Sequence, residues 1–453
     1  MANQGRRYLL VGAGSRASLY VDALIRRGSD SATLIAICDS NPVRAEYHLK
    51  RARAAGRTIQ FVHPDDLERA ISELKVDRVI VAAPDLMHAI FVERSLRAGA
   101  DVVVEKPLTI DIEGVHRIAA AVAETQREVV VGFNYRYSPR NSAVKQLISS
   151  GAIGEVTSIH FEWMLDTVHG ADYFRRWHRE KINSGGLLVH KASHHFDLVN
   201  WWIADTPRSV FARGGLRFYG RENAQSRGLE VRPSRGTHDY PRFPFEMDLR
   251  DDDFERQLYL EAEAADGYIR DKDVFGSGIT IEDTLSVLVD YSGGATMSYS
   301  LLAYSPWEGY RVAFNGTGGR LDLEVVERAE SQLHEHSGSD ATVESNVQSE
   351  KSVRDVGERL ILQQHWGRAR ELMIEQAVGG HGGGDSALLS SLFDEKEPDP
   401  LGRQSDWVDG VRAAAVGIAG NRALDMQRAV LISELDLGVN LSRPSIGGRR
   451  HLP

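Results

Sequence analysis

Tyr8-Leu9-Leu10-Val11-Gly12-Ala13-Gly14-Ser15-Arg16-Ala17 decides the fold. Its first four residues read as a buried strand, which runs into G-x-G-x-x-A where a helical pattern begins. In that setting Gly12 permits the tight turn, Gly14 lets the backbone approach a pyrophosphate, and the small Ala17 lets helix and strand pack closely. The free N–H groups of the helix start, at Ser15 and Arg16, would hold the phosphates. The next strand, at residues 33–37, is followed by Asp39, where a carboxylate accepts hydrogen bonds from ribose hydroxyls and repels a 2'-phosphate. The expected cofactor is NAD. Arg16 beside the loop keeps NADP as the less favoured alternative, and an ordinary tight turn with Asp39 capping a helix is the plainer reading.

Outward from this motif, residues 78–82, 101–104 and 129–131 read as further strands, with a weaker one at 59–62. Residues 17–27 and 87–98 carry apolar positions at helical spacing and end at Gly28 and Gly99, while Pro42 and Pro64 suit first helical turns. Alternating strands and helices predict βαβ units on a parallel sheet, a Rossmann domain over residues 1–137. The chain has 453 residues, which leaves 138–453 for a second domain. There, 284–291, 295–304 and 311–314 read as strands, with Ser292-Gly293-Gly294 as a hairpin turn.

Composition narrows the function classes. Hydrophobic residues make up 42% and charged residues 26%, as in globular proteins. A formal charge of -10 gives no excess cation to neutralise a nucleic acid or an anionic membrane. The single cysteine, Cys38, has no intramolecular partner and reads as core. No apolar run approaches the ~18 residues of a membrane span, and the first residues lack an export signal, so a cytoplasmic protein is expected.

Further motifs carry a resemblance. Glu105-Lys106-Pro107-Leu108 closes the fifth strand, between Ala83-Pro84-Asp85-Leu86-Met87-His88 and Gly132-Phe133-Asn134-Tyr135-Arg136-Tyr137. With Ile153-Gly154-Glu155-Val156, residues 184–197, Asn315-Gly316-Thr317-Gly318-Gly319 and the stretch from Asp409 to Arg422, these resemble the Gfo/Idh/MocA family, named for glucose-fructose oxidoreductase and inositol dehydrogenase. The resemblance spans nearly the whole chain. It implies an α/β protein: a Rossmann domain, then an α/β domain whose helices cover one large, open, mostly antiparallel sheet. It also implies a homo-oligomer, a dimer or tetramer built on the exposed sheet face. Pro84, His88, Glu105, Lys106 and Asn134 would contact the dinucleotide, with Tyr135 and Arg136 toward the substrate.

The family role of the EKP lysine falls on Lys106, beside the nicotinamide and the substrate hydroxyl. A lysine at a strand end loses solvation, and its pKa moves down toward the working pH. The alternative is a plain ion pair with Glu105 or another carboxylate. The usual family pattern has an aspartate and, four positions on, a histidine; here His190 stands at the aspartate position and His194 at the histidine. Positions 190, 194 and 197 share one helical face, so His190, His194 and Asp197 are expected to converge on the substrate. The same spacing suits a metal-binding helix, although the family chemistry needs no metal and none is expected. His195 and Lys191 lie off that face; His195 is kept among the substrate-side candidates.

Asp166, His169, Tyr173, Arg176, Trp177 and His178 form a polar, aromatic stretch suited to a sugar, or a solvated connecting helix. His381, in Gly379-Gly380-His381-Gly382-Gly383-Gly384-Asp385, either enters the site or tips a surface loop. Residues 220–273 and 331–358 look added to the minimal fold; the first covers either the substrate or an oligomer neighbour. The leading expectation is an NAD-dependent carbohydrate dehydrogenase taking hydride from a secondary hydroxyl of a sugar, cyclitol or glycoside. The alternative is an NAD-dependent glycoside hydrolase or lyase working by oxidation, elimination and re-reduction, with His190 and His381 as extra acid or base. A non-catalytic dinucleotide sensor would leave Lys106 and His194 idle.

Overall fold

The computed structural model describes residues 5–27, 31–229, 231–239, 243–331, 353–375, 377, 380–394 and 398–442. The expected cap at Gly28, Gly379 of the glycine-rich loop and most of the added segment 331–358 lie outside the described residues.

The first sheet is built from β1 (Arg6–Val11), β2 (Ala32–Cys38), β3 (Gln60–Val62), β4 (Arg78–Val81), β5 (Asp101–Val104) and β6 (Val129–Val131). Its helices are α1 (Ala17–Arg26), α2 (Pro42–Ala54), α3 (Leu67–Glu73), α4 (Asp85–Arg97) and α5 (Ile112–Thr125). The spatial order β6-β5-β4-β1-β2-β3, all parallel, is that of the doubly wound dinucleotide fold. It reverses between β1 and β4, and ligands bind outside the carboxyl ends of strands at such a reversal. Gly12 stands at that point with φ +95°, and a Cβ there would lie 2.6 Å from the Ala82 carbonyl oxygen. Only glycine fits.

Distant parts of the sequence complete this domain. A two-residue strand, Ser405–Asp406, pairs antiparallel with β6, and the helix Gly384–Phe393 packs on the β1 side. Tyr8 meets the Phe393 ring edge-on at 5.1 Å, and its hydroxyl donates to the Leu392 carbonyl at 3.1 Å. The chain thus leaves the first sheet after β6 and later returns to seal it.

The second sheet is built from β7 (Val156–Asp166), β8 (Pro207–Gly215), β9 (Thr284–Tyr291), β10 (Thr296–Ser305), β11 (Glu308–Gly316), β12 (Gly319–Arg328), β13 (Gly357–Gln364), β14 (Arg370–Leu372) and β16 (Val430–Leu431), β15 being the Ser405–Asp406 strand of the first sheet. Its spatial order is β14-β13-β12-β11-β7-β10-β9-β8-β16, antiparallel throughout except for β7 beside β10. Alternation separates its faces. Ile159, Phe161, Trp163 and Leu165 point inward on β7, onto the helix Ala192–Ile203 through His195 and Trp202. Each such side chain stabilises the fold by about 1.5–3 kcal/mol on burial. The other face is open, with Leu288 56% exposed among charged neighbours such as Arg311 and Glu324. The α/β architecture is as the sequence predicts. Cys38 is buried, and no helix among the described residues is long and apolar enough to cross a membrane.

Candidate active site

A cleft of about 500 Å³ lies at the carboxyl ends of β1, β4 and β5, facing the second domain. The glycine loop forms one end. Asp39 lines it beside the loop, with Oδ2 accepting from Ala13 N and Oδ1 from Asn41 N, each at 2.7 Å. A carboxylate has about four acceptor positions, so two such bonds leave capacity for ribose hydroxyls. Arg16 is committed elsewhere: Nε donates to Glu105 Oε1 at 2.6 Å and Nη2 to Asp385 Oδ1 at 3.1 Å. Both of these bonds go to carboxylates other than Asp39. Ser15 N donates to the Tyr259 hydroxyl at 2.9 Å, so a neutral oxygen stands where the helix start would meet a phosphate oxygen. Asn134 also lines the cleft, and its buried Oδ1 has no hydrogen-bond partner among the described residues. A glycine loop at the strand end, an acidic ribose position and an unmet acceptor fit a nicotinamide dinucleotide.

Lys106 projects at the end of β5. Glu105 is taken by Arg16 and by the Tyr20 hydroxyl at 2.7 Å, and the Lys106 ammonium instead meets His190. Nζ lies 3.4 Å from His190 Nε2 and donates to the His190 carbonyl at 3.2 Å. Desolvation lowers the Lys106 pKa to about 8, opposed by Asp85 and Glu105 and reinforced by Lys191 and Arg16. His178, His190 and His194 are buried, and desolvation followed by nearby cations pushes each pKa well below the usual imidazole value. All three rings are neutral near pH 7. His178 Nδ1 and His194 Nδ1 have no partner among the described residues.

The helix expected across residues 184–197 is broken at Lys191 into Leu187–His190 and Ala192–Ile203. This separates the trio of His190, His194 and Asp197. His190 Nδ1 lies 2.5 Å from Asp85 Oδ2, whereas Asp197 makes a two-fold ion pair with Arg136 at 2.5 and 2.7 Å, backed by Asp409 at 3.3 Å. Arg136 and Asp197 are 2% and 1% exposed and do not line the cleft. Three further expectations are corrected. His195 is locked between the Trp163 ring, 3.8 Å away, and the Tyr299 hydroxyl at 2.7 Å. Asp166 is buried under Arg328 at 2.6 Å and accepts from the Val168 and His169 amides. Tyr135 packs behind His194 and His381, at 4.5 and 5.1 Å between rings, without lining the cleft. Asp166 and Asp197 are buried with cationic partners in Arg328 and Arg136.

Other expected residues do line the cleft: His169, Tyr173, Trp177, His178 and His381. Tyr173 and His169 continue inward, Tyr173 hydroxyl to His169 Nε2 at 2.9 Å and His169 Nδ1 to Glu308 at 2.6 Å. Burial pushes Glu308 up to about 7 despite Arg328. Trp177 stacks on His178 at 3.6 Å. Gly382 and Gly383, both left-handed, turn the loop that brings His381 in. Its Nδ1 lies 2.8 Å from Asp385 Oδ2. Burial pushes Asp385 up, but His381, Arg16 and Asn134 outweigh it and hold the carboxyl well below its usual range. Pro84 lines the cleft, and His88 bridges the Pro107 and Ala83 carbonyls at 2.7 and 2.9 Å, bracing the ends of β4 and β5.

Sequence reasoning missed several groups. Lys191, expected off the site, lines the cleft. Asp85 was visible only as a letter of a motif. The added segment 220–273 covers this cleft, through Glu255, Tyr259, Tyr268 and Arg270. Asn41 Nδ2 donates to the Ala262 carbonyl at 2.9 Å, and Arg44 pairs with Asp266, which ties that segment to α2.

Family models for this architecture match both halves: an oxidoreductase family NAD-binding Rossmann fold over residues 6–133, and its C-terminal alpha/beta domain over 145–430. The chain belongs to the Gfo/Idh/MocA oxidoreductase family. It is 34% identical over 431 residues to the oxidoreductase YteT of Bacillus subtilis (strain 168), covering 91% of this chain and 94% of that one. An inositol 2-dehydrogenase of Rhizobium meliloti (strain 1021) is 32% identical over 210 residues, 46% of this chain and 58% of the relative. Among solved structures, an oxidoreductase from Agrobacterium radiobacter in complex with NAD+, L-tartaric acid and magnesium superposes with a TM-score of 0.59 at 17% identity. That match covers 95% of this chain and 99% of the other, a likeness of fold. As a Gfo/Idh/MocA protein, the chain carries an NAD-binding Rossmann domain and an oxidoreductase architecture.

Burial of the Arg136–Asp197 pair makes it structural. Asp197→Ala should lower the midpoint of urea unfolding, with a loss of about 3–5 kcal/mol for stranding a buried charge. NADH affinity, followed by fluorescence, should stay unchanged.

Proposed function

We propose that this protein is an NAD-dependent dehydrogenase that oxidises a secondary hydroxyl of a sugar, cyclitol or glycoside, with Lys106 and His194 as its proton-transfer groups. One observation carries the reading. Asn134 Oδ1, His178 Nδ1 and His194 Nδ1 are buried without partners on residues that line the cleft holding Lys106. Each unmet buried group costs about 1–3 kcal/mol, and a polyhydroxyl compound, rich in O–H donors, is the chemistry that satisfies several at once. Trp177 and Tyr173 add aromatic surface for a sugar ring. The similarity to an inositol dehydrogenase supports a cyclic polyol.

Gly12, Gly14, Ser15, Arg16, Asp39 and Asn134 are the residues that would hold NAD. When bound, NAD supplies the acceptor for hydride from the carbinol carbon. Lys106, lowered to about 8, is partly neutral near physiological pH and takes the hydroxyl proton on Nζ. The electron pair left on oxygen becomes the carbonyl bond. His194, kept neutral by burial, can hydrogen-bond the same oxygen without adding charge.

A panel of free sugars, inositols and glycosides, followed by NADH absorbance and product mass, tests this. NADH formation that rises with pH, levels off above about 8 and falls at least 100-fold in Lys106→Ala is expected. Cleaved glycoside without net NADH would replace the dehydrogenase with redox-neutral cleavage.

A homo-oligomer built on the open face of the large sheet is the second part of the reading, supported by Leu288 at 56% exposure on that face. Sedimentation velocity should give a dimer or tetramer; a monomer at micromolar concentration would remove it.

A further inference from the structure

The ring between Lys106 and Asp85 is unusual in what it joins. Lys106 follows the end of β5 and Asp85 lies in the first turn of α4, both in the first domain, while His190 ends a short helix of the second. His190 Nε2 lies 3.4 Å from Lys106 Nζ and Nδ1 lies 2.5 Å from Asp85 Oδ2. An ammonium can only donate, so Nε2 must present a lone pair to it. The ring proton is then on Nδ1, where Asp85 accepts it. Tyr173, Trp177 and His178 surround the imidazole at 5.4, 6.0 and 4.2 Å between rings, so it has little room to turn.

We propose that Asp85 is a positioning residue that fixes the tautomer of His190 and, through that ring, stabilises the ammonium formed when Lys106 takes the substrate proton. This rests on the dehydrogenase reading for the role of Lys106. The substrate O–H bond breaks and an Nζ–H bond forms, and Nε2 accepts a hydrogen bond from the new ammonium; burial pushes the Asp85 carboxyl well above its usual range while Lys106 and Arg176 oppose that shift, so the new ammonium and the Asp85 carboxylate stabilise each other through the imidazole. No further co-reactant is needed.

The inference predicts a state of the protein that can be read without turnover. In 15N-histidine-labelled protein at about pH 9.5, where Lys106 has lost its proton and no longer dictates the ring, His190 should still show the Nδ1–H tautomer, and Asp85→Asn, whose amide can donate to Nδ1, should populate Nε2–H. In kinetics, Asp85→Asn should cut turnover about 100-fold and move the pH profile. Asp85→Asn/His190→Asp, which puts a carboxylate directly beside Lys106, should recover at least about tenfold of that loss. A purely structural Asp85 would give neither the tautomer change nor the rescue. An Nε2–H ring in the wild type, or a tautomer unmoved by Asp85→Asn, overturns the inference. If Lys106→Ala abolishes turnover while Asp85→Asn leaves the pH profile unchanged, only this inference fails; if Lys106→Ala is active, the dehydrogenase reading fails, and the tautomer still reports on Asp85.

Discussion

At the carboxyl end of β5 the Lys106 side chain leaves the first domain and meets the second, and water is largely stripped from its ammonium. Removing solvent from a cation is expensive, so the surroundings must either supply charge or let the proton go. They do both in measured proportion. Asp85 and Glu105 oppose the loss, but Arg16 answers Glu105 directly and a neutral ring stands between Lys106 and Asp85. The lysine is left poised near its own titration point. That balance depends on the two domains meeting as they do, because His190 and Lys191 come from one and Asp85, Glu105 and Arg16 from the other.

The same need shapes the rest of the cleft. Carboxylates near the glycine loop are each tied to a cation or to backbone N–H groups: Asp39 to two amides, Asp385 to Arg16, His381 and Asn134. The imidazoles around Lys106 stay neutral under burial. Asn134 Oδ1, His178 Nδ1 and His194 Nδ1 remain unmatched among the residues lining the cavity, and hydroxyl groups, which both donate and accept, are able to meet them. The added segment reaches over the dinucleotide end through Tyr259 and Tyr268, so the fold encloses the cleft with its own chain.

Local patterns made the first domain readable. A strand ending in Gly12-Ala13-Gly14 and a strand followed by Asp39 define their own geometry within one βαβ unit, and the six parallel strands fall where periodicity puts them. The exposed-to-buried alternation did the same for β9 to β11. Residues whose role depends on a partner far along the chain were less legible. Asp197 looked like a site residue because it shares a helical face with His194, yet Arg136, 61 positions away, claims it. Asp85 meets His190 across 105 positions, and Ser405–Asp406 joins an edge strand formed by residues 129–131. Lys191 broke the helix on which the expected convergence of His190, His194 and Asp197 relied. Spacing rules hold within an element; pairing of buried charges is settled between elements.

The most direct test of the central claim is the titration of the Lys106 amine itself, followed by NMR in 15N-lysine-labelled protein and assigned with Lys106→Arg. A titration at about 8 is the predicted result. A midpoint above about 10, the ordinary value for a solvated lysine, would contradict the account.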